Sequence, residues 1–479
     1  MANAKFGPHI GIVGSGPTAT WTADEVLRRD ASARVTIISP TRTFPGPGGG
    51  RFNQGVLHAG LEQGESVARH AYYYLISAQT EDAAKTASEV LSDGAARWNR
   101  DIVLPAGAQL HSFAPSVCAA TSCEVAHSIE ARLKATGAKV ELIKPRKLLS
   151  GARDFPAFFT THDKAFAPYR AYAFHKEKLL KQGLEVLSGV HVTHAYECGT
   201  LRLELSDEGK ISGGAVLETI RGSNSLDVPS TAKFDAIILA AGTGLKKIRG
   251  SWNQRGIVVK NYVALKAILD GDYRPYDCGV LYTSPGAGYG VAPHNDFAPL
   301  FVAGNEAADE SPTTSFALSC VTALADLPRR QRLHYVKLQE QILRETVQNM
   351  LGSQVNCETL LEMVKCGKTT VVDPLLDAGR STDACQAFHA ARNVVVANAG
   401  KASSAPMTAA HAVGILFDGV LAKRWVPPTA LPVSANGSKP YKTEPPFVLR
   451  GKPIRRYNPA CAIDIGDLDA MPTVNGLVA

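Results

Sequence analysis

Residues 51–60 read RFNQGVLHAG, and their types suit no ordinary element. An exposed loop would not keep the pair Val56-Leu57, and a core strand would not keep Asn53, Gln54 and His58. Glycines at 55 and 60 let backbone lie close against another surface. The histidine, the side chain that exchanges protons near neutral pH, shares that space. A second stretch offers phosphate chemistry. Residues 9–39 run from an apolar strand at 10–13, through Gly14-Ser15-Gly16, into a segment of helical periodicity through Leu27, then to a second strand at 35–38. Gly14 permits the tight turn. Gly16 lets backbone approach a pyrophosphate, which then sits on the helix N-terminus beside Pro17 and Thr18, where N–H groups point outward. Ala19 stands for the third glycine and still allows close helix–strand packing.

This unit departs from the usual pattern in one place. The acid expected at the end of the second strand, where it would hold ribose hydroxyls, is Ser39, followed by Pro40, Thr41 and Arg42. A small residue followed by arginine is how NADP sites accommodate a 2′-phosphate. The glycine turn therefore predicts a dinucleotide and leaves its identity open.

The bulk properties set limits. A chain of 479 residues is long enough for two domains, and 45% hydrophobic with 20% charged residues is ordinary globular composition. The formal charge of +7 is spread over the chain, which disfavours nucleic-acid binding and suits attraction of a small anionic substrate. The nine cysteines form no C-x-x-C pair, and no histidines stand at zinc spacing, so free thiols in a cytoplasmic protein and no metal site are expected. The N-terminus lacks the features of a signal peptide, and no apolar run is long enough for a spanning helix.

Taken in order, the segments resemble the D-amino-acid-oxidase-like FAD-dependent oxidoreductases. They are most similar to the L-2-hydroxyglutarate dehydrogenase/oxidase branch, through the string Asn53-Gln54-Gly55-Val56-Leu57-His58-Ala59-Gly60. Residues 139–149 and 165–195 look like the family's return into the flavin domain, with a helix near 170–182, Gly183 as its cap, and two short strands that include Val190. Residues 234–248 resemble a second dinucleotide-contacting strand and turn, ending in Ala241-Gly242. Residues 393–421 resemble the closing strand, small-residue turn and helix that face the pyrimidine edge of the flavin, with Gly400, Lys401, Ala402, Ser403 and Ser404 in the turn. The resemblance spans about 9–424. It implies an α/β fold, a Rossmann-like FAD-binding domain of glutathione-reductase type with an interleaved α+β substrate domain on a mixed sheet. Two departures, the turn Asn398–Ser403 and Glu62-Gln63, point to an altered pocket.

The same resemblance implies hydride transfer from the α-carbon of a small 2-hydroxy or 2-amino acid to flavin N5. His58 is then the candidate base, with a packed core histidine or a covalent flavin attachment as its other readings. Arg51, Tyr289 and His294 are candidate anchors for the substrate carboxylate, with His162 a weaker one. The helix starting near Ala405 presents its positive dipole end, and Lys401 could add a charge there.

The expected domains are 1–75, 169–249 and 380–424 for FAD, and 76–168 with 250–379 for substrate. A proline-rich basic strap, 425–479, could serve a homo-oligomer. The amphipathic helix at 329–351 reads as packing. The electron acceptor (oxygen, a quinone or a carrier protein) is left open. An amine or amino-acid oxidase, an NADP-binding reductase and a non-catalytic nucleotide-binding scaffold remain as alternatives.

Overall fold

Apolar runs that are buried on both faces make parallel strands, and four such runs build the centre of the first unit. They are β1 (His9–Val13), β2 (Arg34–Ser39), Ala236–Leu239 and Val394–Asn398. In this computed structural model the described residues are 7–40, 55–57, 91–109, 116–120, 155–161, 163–196, 199–205, 231–250, 258–270, 280–283, 297–306, 312–320, 327–352, 360–372, 386–391, 393–400 and 402–419, with scattered positions between 122 and 143. The six-stranded sheet runs Gln386–Ala391, Val394–Asn398, Ala236–Leu239, β1, β2, Glu185–Ser188; all pairs are parallel except the first. The strands that follow β1 in sequence lie to one side of it and the later ones to the other. The carboxyl end of β1 is thus the topological switch point, where open α/β sheets bind ligands.

Each face of this sheet has its own cover. Ile10, Ile12, Val35, Ile37, Ile238 and Val395 pack against helix α1 (Pro17–Arg29) and the helices Pro168–Lys181 and Ala405–Gly419. Val13, Ile38, Ile237, Leu239 and Val394 meet a smaller sheet of Thr231–Lys233, Thr200–Leu205, Val190–Tyr196 and Arg249–Gly250. The alternation along each strand follows from the two-residue period of strand side chains. The helix expected near 170–182 ends as its sequence requires. Gly183 has φ +90°, Leu184 N–H reaches Leu179 O at 3.1 Å and Gly183 N–H reaches Leu180 O at 3.0 Å, the paired bonds of a left-handed helix terminus.

Helix α1 and the helix Pro168–Lys181 also meet through charge. Asp24 is fully buried, with Arg28 Nη2 at 2.9 Å, Lys178 Nζ at 3.1 Å and His175 Nε2 at 3.9 Å. The His175 ring stands edge-on to Trp21, centroids 4.9 Å apart. Removing the carboxylate leaves two cations and a buried imidazole beside an apolar hole. Asp24→Ala should therefore cost about 2–4 kcal/mol of stability, less than a wholly buried pair because Arg28 and Lys178 are part-exposed. Urea unfolding of the purified protein measures it. A loss below about 0.5 kcal/mol would mean that these charges do not stabilise the fold.

The second unit is a mixed seven-stranded sheet in the order Leu360–Val372, Val258–Asp270, Pro312–Cys320, Phe297–Glu306, Val280–Thr283, Ser116–Ala120, Ala157–Thr161. Val280–Thr283 pairs in parallel with Ser116–Ala120, and the other pairs with assigned register are antiparallel. The helix Arg329–Leu351 lies on this sheet. Tyr335, Val336, Ile342, Leu343, Val347 and Met350 bury themselves among Val117, Ala119, Leu265, Phe316 and Leu318. Its apolar stripe is a packing face, as the spacing implied.

Among the described residues, the first unit takes those of Met1–Arg51, Tyr169–Val259 and Thr369–Lys439, and the second those of Phe52–Pro168 and Lys260–Lys368. Gly55, Val56 and Leu57, grouped with the first unit on sequence, fall in the second. The reason is pairing. Val56 and Leu57 sit opposite Ala165 and Lys164, and Gly55 O accepts from Phe166 N–H at 2.9 Å. The tail 425–479 lies outside the described residues. No described helix is long and apolar enough to cross a membrane.

Candidate functional site

Two glycines at the switch point play different parts. Gly14 closes β1 with φ +123°, and its N–H donates to Ile38 O at 2.8 Å. A Cβ there would lie 2.3 Å from Ala240 O and 2.7 Å from Ala240 C, both backbone atoms. The turn is pressed directly on the end of strand Ala236–Leu239, whose Ala240 N–H in turn reaches Val13 O at 2.8 Å. Gly16 is the opposite case: a Cβ built on it meets nothing within 4 Å. Its surroundings are open on the side where a ligand would approach.

Helix α1 starts from that open side. Pro17 occupies its first turn and brings no N–H, no side chain caps the end, and no acid lies in the first turn. The first intrahelical bond is Thr20 N–H to Gly16 O at 3.1 Å. The N–H groups ahead of it, including that of Thr18, are those a helix leaves for an anion. Thr20 and Thr22 direct their hydroxyls back to Pro17 O and Thr18 O, so neither competes for a ligand there.

Ser39 ends β2 fully buried, and its Oγ donates to Ser15 Oγ in the glycine turn at 2.9 Å. Pro40 follows, half-buried. On the far side of β1, Ala241 and Gly242 open a short 3-10 helix, Gly242–Lys247, and a Cβ on Gly242 would also meet nothing within 4 Å. Val190 is fully buried in the core beneath the small sheet, so its side chain serves packing and only its backbone could reach a ligand.

The closing turn is held from both ends. Asn398 ends its strand buried, and its Nδ2 donates to Thr369 O at 2.8 Å. Gly400 and Ala402 are half-buried, while Ser403 and Ser404 are fully buried. Ser404 O accepts from Thr408 N–H at 2.9 Å and starts the helix Ala405–Gly419. Ser403 Oγ has no hydrogen-bond partner among the described residues, although it is shielded from water. A buried hydroxyl left so costs about 1–3 kcal/mol, so the position suits a group supplied from outside the chain. In the following helix, burial holds the imidazole of His411 below the usual histidine range.

The structure thus brings together, in one unit, Gly14, Ser15, Gly16, Pro17, Thr18, Ser39 and Pro40 around the switch point. The same unit carries Ala241, Gly242, Gly400, Ala402, Ser403 and Ser404 on neighbouring turns after the strands Ala236–Leu239 and Val394–Asn398. Gly55, Val56 and Leu57 belong to the other unit. Arg42, Arg51, Asn53, Gln54, His58, His162, Tyr289, His294 and Lys401 lie outside the described residues. Among the described residues no group of three histidine, cysteine or acidic side chains is placed to hold a metal ion. Sequence reasoning named Ser15, Ser39 and Ser403 but missed the Ser15–Ser39 bond and the Asn398 anchor, each of which joins residues far apart in the sequence.

An open cradle at Gly16, an uncapped helix end and an unsatisfied buried hydroxyl fit a dinucleotide with a polar ring. Comparison with known proteins agrees with that fit. Residues 9–417 match the family described as FAD dependent oxidoreductase. Comparison with curated protein sequences gave no match. Among solved structures, dithionite-reduced L-alpha-glycerophosphate oxidase from Mycoplasma pneumoniae with FAD bound superposes with a TM-score of 0.55 at 13% identity, covering 85% of this chain and 94% of that one. Glycine oxidase from Geobacillus kaustophilus gives 0.54 at 13% identity, over 86% and 95%. L-amino acid deaminase from Proteus vulgaris gives 0.53 at 12% identity, over 87% and 95%. At these identities the likeness is one of fold.

Proposed function

Because this chain belongs to the FAD dependent oxidoreductase family, we propose that it oxidises a small carboxylate-bearing alcohol, an L-2-hydroxy acid, to the corresponding 2-keto acid. FAD, when bound, would supply the two-electron acceptor for this oxidation. The observation that carries the substrate class is the string Asn53–Gly60 with its single titratable side chain, His58. The fold alone does not choose among substrates.

The roles of the chain's own residues follow from their chemistry. Gly16, Pro17 and Thr18 receive the pyrophosphate on the N-terminus of α1. Ser403 and the helix Ala405–Gly419 meet the polar edge of the ring, where a hydroxyl donor and a helix N-terminus oppose negative charge. His58 takes the proton of the substrate hydroxyl as the carbon–hydrogen bond breaks, and Arg51, Tyr289 and His294 are the candidates to hold the carboxylate so that this bond faces the ring.

Ser403 gives this reading a test with a distinctive sign. If its hydroxyl only packs, Ser403→Ala removes an unsatisfied polar atom and leaves stability unchanged or raised, with FAD held as before. If the hydroxyl serves the ring, the variant should hold FAD about five- to tenfold more weakly while its flavin-free form unfolds no earlier than wild type. Fluorescence titration of FAD and thermal melting read the two quantities. The substrate class is tested by product. An L-2-hydroxy acid consumed with keto acid formed and no ammonia supports it, and turnover confined to amino acids with ammonia released contradicts it in favour of an amine or amino-acid oxidase.

A further inference from the structure

The strand Val394–Asn398 loses part of its main-chain support before it ends. Its parallel ladder to Ala236–Leu239 runs from Val394 to Val396, so Ala397 and Asn398 continue past the last pair on that side. On the other side Gln386 still stands opposite Asn398. There the Asn398 side chain adds a hold of its own. It is buried, and its Nδ2 donates to Thr369 O at 2.8 Å. A carbonyl only accepts, so the amide nitrogen must face it, and an ionised aspartate of the same shape could not make this bond. Thr369 is buried too, and it lies on the strand Leu360–Val372, which is hydrogen-bonded to Val258–Asp270. The acceptor thus belongs to a paired strand rather than to a loop. The far end of the turn is set by the helix Ala405–Gly419. Ala405 N–H reaches Ala402 O at 3.1 Å, and Ser404 O takes Thr408 N–H at 2.9 Å and Thr408 Oγ1 at 3.0 Å. Between the two ends sits Ser403, whose fully buried Oγ has no hydrogen-bond partner among the described residues.

Resting on the FAD reading and on the role given to Ser403 above, we infer that Asn398 is a positioning residue for the flavin. Its bond to Thr369 fixes the start of the turn, so that the Ser403 hydroxyl is held where it meets the polar edge of the ring. Asn398 acts through Ser403 rather than on FAD itself. A donor aimed at developing charge is effective only when bonds of its neighbours hold it in place. The competing role is structural: the amide satisfies a buried carbonyl, and its loss lowers stability alone. The two roles differ in whether the effect of Asn398 disappears once the Ser403 hydroxyl is gone.

A double-mutant cycle on the full chain tests this, read by fluorescence titration of FAD, thermal melting of the flavin-free form and the midpoint potential of the bound flavin. Asn398→Ala should hold FAD about five- to tenfold more weakly, as Ser403→Ala does. In the double variant the loss should stay at about five- to tenfold, because the hydroxyl that Asn398 positions is already absent. Independent effects would multiply to about twenty-five-fold or more. The potential should fall in each single variant and no further in the double one, since a hydroxyl donor at the polar edge favours added negative charge. Lowered stability alone does not move the potential. Should Asn398→Ala fail to fold, Asn398→Ser leaves a smaller hole and carries the same expectations. The inference is overturned if Asn398→Ala keeps wild-type FAD affinity and potential while Ser403→Ala lowers both. It is overturned as well if the losses multiply in the double variant, or if neither Asn398 variant folds without flavin. A Ser403→Ala protein with wild-type FAD affinity overturns the Ser403 role and this inference with it. A wild type that carries no flavin and takes up none overturns the FAD reading itself, a distinct result.

Discussion

Gly14→Ala is expected to yield a protein with no bound flavin and reduced stability. The backbone at φ +123° is one that residues with a Cβ rarely adopt, at a cost of about 1–3 kcal/mol. The new methyl would also sit 2.3 Å from Ala240 O, a backbone atom fixed by its own bond to the sheet. Neither strain can be relieved without moving the turn away from the strand end, and the turn carries the N-terminus of α1 with it. FAD affinity should fall by a factor of about a hundred or more, since the pyrophosphate loses its several N–H contacts together. Gly16→Ala separates binding from folding. Its Cβ meets no protein atom within 4 Å, so the flavin-free fold should melt as wild type does. The methyl would fill the space that the pyrophosphate needs, and FAD should again be lost. Thermal melting and the ratio of flavin to protein absorbance measure both variants. A Gly16→Ala protein that keeps its full flavin complement would place the pyrophosphate elsewhere.

His58→Ala should do the reverse, keeping FAD and losing chemistry. A positioned base contributes about 10²–10⁴-fold, so anaerobic reduction of the flavin by an L-2-hydroxy acid should slow by at least about a hundredfold. The dependence of that rate on pH should also lose the rising limb that a neutral histidine gives, because only the unprotonated imidazole can accept the proton. Stopped-flow absorbance gives rate and pH profile together. An unchanged rate with an unchanged profile would make His58 a packing residue, and loss of flavin in the variant would make it part of the cofactor site.

How much of this was legible in the sequence depended on how local the physics was. Apolar runs such as Ile37-Ile38 and Val394-Val395-Val396 declared buried parallel strands, and Gly183 after a lysine-rich helix declared a helix end. The helix Arg329–Leu351 followed from its 3.6-residue period. The glycine turn was read as a tight bend, but the stronger reason for Gly14 is Ala240, which is far away in sequence and close in space. Ser15 and Ser39 are 24 residues apart, and only the parallel pairing of β1 with β2 brings their hydroxyls together. The burial of the Val190 side chain depends on the small sheet that covers it, which a local reading of its strand does not show. Gly55–Leu57 were grouped with the nucleotide domain because they follow β2, but their backbone pairs with Lys164–Ala165 in the other unit. The family was legible over about 9–424 and its match covers 9–417, whereas the hydroxy-acid branch rests on one string of eight residues.

Anaerobic absorbance of the purified protein tests the proposed FAD-dependent oxidation of a 2-hydroxy acid most directly. The expected result is a flavin spectrum that bleaches when an L-2-hydroxy acid is added and persists when the matching amino acid is added. A flavin that only amino acids bleach would contradict the substrate class. A protein with no flavin bands, before or after incubation with FAD, would contradict the account as a whole.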